Sequence, residues 1–177
     1  MKRLPLTIAV TFLSLGLGLS AAGPAGADQD SSPWIRFHQP DFTVAAGAGC
    51  SFQVDAHVVN DQEYFQNVDF FTDGTPKTQL FKGLLVVEFA NHETGASTSR
   101  NVNGRALLDY TPAGDFQRIT ILSGHFTTAV APGNDLAPGF YYVGGTDTSM
   151  TINDDGTKTF SFGRNGSAEN LCPQLAG

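Results

Sequence analysis

The chain is poor in cysteine, in basic residues and in anything that reads as a helix. Only Cys50 and Cys172 are present, with no C-x-x-C spacing and no histidine close to either in sequence. That leaves out the compact zinc and thiol-redox patterns. Lys and Arg number 10 against 17 Asp and Glu, a formal charge of −7. Such a balance argues against nucleic acid and against anionic membrane surfaces as partners. No segment of helix length carries an apolar stripe at helical spacing. No glycine-rich loop opens a helix, so the phosphate-cradling motifs are missing too. After Leu19 no apolar run is long enough to span a bilayer.

What is present begins with a leader. Lys2 and Arg3 precede an apolar run from Leu4 to Leu19, and Ala25-Gly26-Ala27 has the small-x-small form of a cleavage site. Residues 1–27 are expected to be a secretory signal peptide, which makes the protein extracellular. The mature chain, 28–177, keeps 150 of 177 residues and loses Lys2 and Arg3. It holds 8 basic residues against 17 acidic, a formal charge of −9. That length suits a single domain with one core. Export places both cysteines in an oxidising compartment, so a Cys50–Cys172 disulfide is expected.

The central stretch is Leu80–Gly104. A near-continuous apolar run, Leu84–Phe89, stops at Asn91-His92-Glu93-Thr94-Gly95, and a more polar strand returns over Ala96–Val102. The same grammar recurs. Phe42–Val44 reads as a short edge strand. Phe52, Val54, Ala56 and Val58 alternate with polar neighbours. Glu63–Phe71, Arg105–Tyr110, Phe116–Leu122, His125–Ala131, Phe140–Val143, Thr148–Ile152 and Thr157–Phe162 follow, punctuated by Asp73-Gly74, Asn103-Gly104, Pro132-Gly133 and Asn153-Asp154-Asp155-Gly156. Asn103-Gly104 is the strongest hairpin dipeptide of the set. The pattern predicts an all-β fold, an antiparallel meander closed or nearly closed into a barrel, with a two-sheet β-sandwich as the alternative.

Candidate chemistry is sparse. His38, His57, His92 and His125 have no metal-binding spacing, and no metal or cofactor is expected. The Asn153–Gly156 loop lacks the glutamate of a calcium site, since Phe162 stands there. Ser123-Gly124-His125 lacks a nucleophile elbow and reads as a bulge. Glu88 is the one charge in an apolar run; if it faces inward, Arg100 or Arg105 would be its partner. No catalytic residue is assigned.

Ala48-Gly49-Cys50-Ser51-Phe52, the Asp73-Gly74 turn, the apolar strand Gly83–Asn91 followed by Thr94-Gly95, and the late Asn170-Leu171-Cys172 together resemble small secreted all-β proteins of actinobacteria that carry no assigned activity. The resemblance implies a shared β scaffold and disulfide and transfers no catalytic residues. The leading expectation is a secreted, non-enzymatic barrel holding a small apolar ligand, lined by Phe140–Val143 with Phe160 and Phe162 unless these are plain core. One alternative is a cell-envelope or extracellular protein-interaction or structural domain, exposing Phe65, Phe71 or Tyr142 as a patch. Another is an isomerase or cyclase that uses the barrel as a shaped cavity.

Overall fold

A computed structural model describes residues 32–177. The expected leader and its cleavage site lie outside the described residues. Eleven strands run in chain order: β1 (Ile35–Phe37), β2 (Phe42–Val44), β3 (Val54–Phe70), β4 (Pro76–Asn91), β5 (Ser97–Asn101), β6 (Gly104–Tyr110), β7 (Phe116–Val130), β8 (Gly139–Thr146), β9 (Thr148–Ile152), β10 (Lys158–Ser161) and β11 (Arg164–Asn170). A one-turn helix, α1 (Cys172–Leu175), follows. All the strand pairings are antiparallel.

Only β3, β4 and β7 run the full height of the sheet. The other strands are halves of rows broken midway. β1 and β2 lie end to end along β3, β5 and β6 along β4, and β8 and β9 along β7. β11 and β10 complete the last row, along β8 and β9. The end containing β1, β6, β9 and β10 is here called lower, and the end containing β2, β5, β8 and β11 upper.

The breaks share a level because the backbones crowd there. Gly83, Gly104 and Gly124 are in register across β4, β6 and β7. A Cβ on Gly83 would sit 2.5 Å from the Gln62 carbonyl oxygen, and one on Gly124 would sit 2.8 Å from Cα of Gly104. Gly124 also has φ +91°, a conformation that favours glycine. Below this row, hydrogen bonding is continuous from β1 through β3, β4, β6, β7 and β9 to β10. Above it the sheet forks. β5 pairs only with β4, and the upper half of β7 pairs only with β8.

The two limbs of the fork pack against each other. Phe89 of β4 and Phe140 of β8, 0 % and 1 % exposed, meet edge to face at 5.0 Å. Cys50, Val54, Ala56, Leu85, Val87, Leu171 and Leu175 complete this buried cluster. Its rim is polar and fastened. Arg100 of β5 donates to Glu169 of β11 (2.8 Å) and to Gln174 of α1 (2.6 Å). The Tyr142 hydroxyl donates to the Asn101 carbonyl (2.6 Å), and inside the rim the buried Asn91 donates to the Leu175 carbonyl (3.0 Å). The Cys50–Cys172 disulfide is formed, its Cα atoms 5.4 Å apart. A second cluster gathers Ala106, Ile121 and Met150 from the lower end with Phe126, Val130, Tyr141 and Val143 of β7 and β8. Residues of β8 therefore enter both cores.

The expected barrel does not form. β1 and β11 end the strand order, and no pairing joins them. The physical reason is the fork: Phe89, Phe140, Leu171 and Leu175 fill the space between the limbs, and the disulfide holds the tail there instead of a closing strand. Separate sandwich sheets are not formed either, since the strand order is unbroken through the lower end. The meander itself is present. Asn103-Gly104 is not a hairpin. It is the break between collinear β5 and β6, and the Asn103 side chain accepts the Leu85 N–H there (2.6 Å). Two pairs of expected strands merge, into β3 and β7, across bulges that let the ladder continue.

Replacing both cysteines by alanine opens a loop spanning 122 residues. The expected cost is about 4–5 kcal/mol on the chain-entropy account, read as a lower guanidinium midpoint. An unchanged midpoint would mean that the limbs hold together without the bond.

Candidate functional site on the outer face

The inner face of the lower end supplies the second core. Its outer face carries three rows of side chains, set by the strand register. The first is Arg36, Tyr64, Lys82, Arg105 and Ser123, on β1, β3, β4, β6 and β7. The second is Gln66, Leu80, Leu107, Thr120 and Ser149. The third is Asp69, Thr78, Asp109, Arg118 and Thr151. Bulges skip Val68 and Leu122, which keeps these residues on one side of the pleat.

Aromatic side chains stand out from this face beside cations. Trp34 and Tyr64 are 38 % and 40 % exposed. The Lys82 ammonium lies 3.7 Å from the centre of the Trp34 ring, and the Arg36 guanidinium 5.2 Å from that of Tyr64. Such contacts contribute roughly 0.5–1 kcal/mol each at exposed sites. Lys82, Arg105 and Arg118 are exposed. A half-open groove of about 560 Å³ continues the third row, bordered by Phe71, Lys77, Asp109, Tyr110 and Arg118.

Asp61 fixes the segment that bears Trp34. Its side chain is 11 % exposed. It accepts the N–H groups of Gln39 and Glu63, each at 3.0 Å, and pairs with Arg36 at 3.2 Å. Arg36 also donates to the carbonyls of Asp61 and Glu63. Burial pushes the Asp61 carboxyl up, but those hydrogen bonds and Arg36 together hold it below the usual range. At the rim, Lys77 pairs with Asp69 at 2.8 Å, which lowers the Asp69 carboxyl and raises the Lys77 ammonium.

Compared with models of protein families, with curated proteins and with solved structures, the chain matches none.

Of the residues singled out in the sequence, Arg105 and Ser123 fall on this face and most of the others fall elsewhere. Glu88 is half-buried on the outer side of β4, opposite His57 in register. Arg100 belongs to the limb clamp, and Arg105 to the outer face. His57 and His92 are exposed and bonded to Asp41 (2.8 Å) and Asp55 (2.7 Å). Bonding to Asp41 raises the His57 imidazole. His38 lies 3.4 Å from Asp61. His125 stacks on Tyr142 at 4.3 Å, and burial lowers its imidazole. Ser123 is exposed in the first outer row, whereas His125 is half-buried against Tyr142. Among the described residues no three His, Cys, Asp or Glu side chains gather as a metal site. Asp155 accepts from the N–H and hydroxyl of Thr157, at 2.9 and 2.6 Å, as a turn residue.

The apolar-ligand interior is corrected by the same packing. Phe140 and Val143 are core, 1 % and 0 % exposed, and fill the space they were expected to line. Phe160 stacks on Phe162, and Phe162 faces outward, 43 % exposed. The expected surface patch also changes membership. Phe65 stacks on Phe81, Phe71 borders the groove, and Tyr142 lies between the limbs.

Sequence reasoning passed over Glu63. It shares the inner face with Phe65, opposite Gly83 and Phe37. Its Oε2 is buried without a hydrogen-bond partner. Burial, reinforced by the Asp61 charge, raises its carboxyl from 4.5 to about 7, with Arg36 opposing. The only signal was its phase with Phe65. The folded state holds the proton to higher pH than the unfolded one. Stability is therefore full below pH 4.5 and falls as pH rises through about 7. The loss is at most about 3 kcal/mol. Glu63→Gln should flatten that slope in urea melts taken from pH 4 to pH 8, and a slope equal to wild type would show that Glu63 ionises freely in the fold.

Proposed function

We propose that the protein is an extracellular interaction domain, working at or near the cell envelope through the outer face of its lower end. The observation that carries this is the exposure of Trp34 and Tyr64 on that face, each held beside a cation. Exposed aromatics gathered on one face mark interaction surfaces. Their positions are fixed by the sheet and by Asp61, so little order has to be gained on binding. The leader read from residues 1–27 supports export. The two limbs pinned by a disulfide suit a domain that persists outside the cell. No helix among the described residues is long and apolar enough to cross a membrane. This reading keeps the chain with the small secreted actinobacterial proteins that its cysteine and turn pattern resembles.

The test is cosedimentation of the mature protein with purified envelope material from the cells that export it. The double variant Trp34→Ala/Tyr64→Ala should lose bound protein by on the order of ten-fold, as truncated anchor residues do. Val59→Ser, which alters an exposed side chain on the β3 bulge, should bind as wild type. Equal binding by the double variant, with an unchanged melting temperature, would remove this face as the interaction surface.

A further inference from the structure

We propose that the partner of this face is an acidic polysaccharide, a glycan chain carrying carboxylates; the inference rests on the outer face being the interaction surface. The first observation is where a strongly acidic chain places its few cations. The described residues hold Arg36, Lys77, Lys82, Arg100, Arg105, Arg118, Lys158 and Arg164. Five of these, Arg36, Lys77, Lys82, Arg105 and Arg118, lie on the outer face of the lower end or border its groove. Arg36 and Lys77 are committed to Asp61 and Asp69. Among the described residues, Lys82, Arg105 and Arg118 have no acidic partner within ion-pair distance. Asp109 stands opposite Arg118 across the ladder but accepts from the Thr78 hydroxyl instead, at 2.7 Å. Of the acids on the same side of β3 and β4, Asp69 at the lower end is paired with Lys77, and Asp55 and Glu88 lie at the upper end with Asp41, His57 and His92.

The second observation is spacing. Arg36, Lys82 and Arg105 share a register row that crosses three strand intervals, about 14 Å at 4.7–4.9 Å per interval. Arg118 lies two rows lower, about 13 Å along the strand direction. Cations so dispersed do not converge on one small anion. They match a chain whose charge repeats. Between them lie Gln66, Leu80, Leu107 and Thr120, amide, hydroxyl and apolar groups suited to sugar hydroxyls and ring C–H faces. Trp34 and Tyr64 offer aromatic faces to the same C–H surfaces. The groove beside Arg118, about 560 Å³, has the volume of a small-molecule site and is bordered by Lys77 and Asp109 as well as Arg118.

A nucleic acid fits less well, because its dense charge meets a chain of net charge −7. Scattered cations among neutral polar groups suit the lower charge density of a uronic-acid polymer.

The experiment is calorimetric titration of the mature protein with polygalacturonate at low and at 0.3 M salt, beside its methyl-esterified form and polyglutamate. Binding to polygalacturonate is expected, weakened on the order of ten-fold by salt and lost on esterification. Arg105→Gln/Arg118→Gln should weaken it by on the order of ten-fold or more, and Glu88→Gln should not. The Arg105 and Arg118 side chains are exposed, and an unchanged melting temperature certifies the fold of each variant. Equal binding to the esterified polymer would overturn the proposal, as would full affinity in the double variant. Equal or tighter binding to polyglutamate would make the partner an acidic peptide. Envelope binding that depends on Trp34 and Tyr64 but not on Arg105 and Arg118 would sink the polysaccharide while leaving the interaction surface in place.

Discussion

The fold depends on backbone crowding along one line. At Gly83, Gly104 and Gly124 neighbouring strands approach so closely that no Cβ fits between them. Strands that pass this line must bend or bulge, and the shorter rows break there. Below it hydrogen bonding passes unbroken from row to row between the β1 and β10 edges. Above it β5 and β7 part, and a single sheet becomes two limbs with apolar faces turned to each other. The edge-to-face pair Phe89–Phe140 and the Cys50–Cys172 bond are consequences of that parting, because two limbs with no shared ladder need another connection.

The same geometry distributes the polar groups. The inner faces are spent on two cores, so charge is left to rims and to the outer face. Where a charge does point inward, it is bound or neutralised. Asp61 gathers two N–H groups and a guanidinium. Arg100 spans the gap between the limbs to reach Glu169 and Gln174. Glu63, which lacks a partner for Oε2, is instead pushed toward its neutral form. On the outer side Lys82, Arg105 and Arg118 are exposed and, among the described residues, have no acidic partner within ion-pair distance. The face proposed for interaction is thus the part of the sheet that the cores did not consume.

Much of the fold was legible from one-dimensional pattern. The alternation of Phe52–Val58 and the apolar run of Leu84–Phe89 mark strands because a pleated chain turns alternate side chains to one face. β1 and β11 escaped for different reasons: β1 is only three residues, Ile35–Phe37, and β11 is a polar edge row. Arg164–Asn170 has no apolar alternation to betray it, and its pairing is supplied by β8. Asn103-Gly104 misled because a hairpin and a break in a row use the same residue types. Whether the following strand turns back or continues depends on the neighbour beside it. The outer site was the least legible part. Trp34, Tyr64, Lys82 and Arg105 are far apart in sequence, and only strand register brings them into adjacent places.

By itself the sequence determined the all-β class, the antiparallel meander and the cysteine pair, because periodicity, turn chemistry and a count of two cysteines are local or compositional properties. Tertiary structure decided that the sheet forks rather than closes, that its interior is filled, and which aromatics and cations share a face. Those outcomes turn on register and on how closely backbones approach, relations between residues distant in the chain that no local pattern encodes.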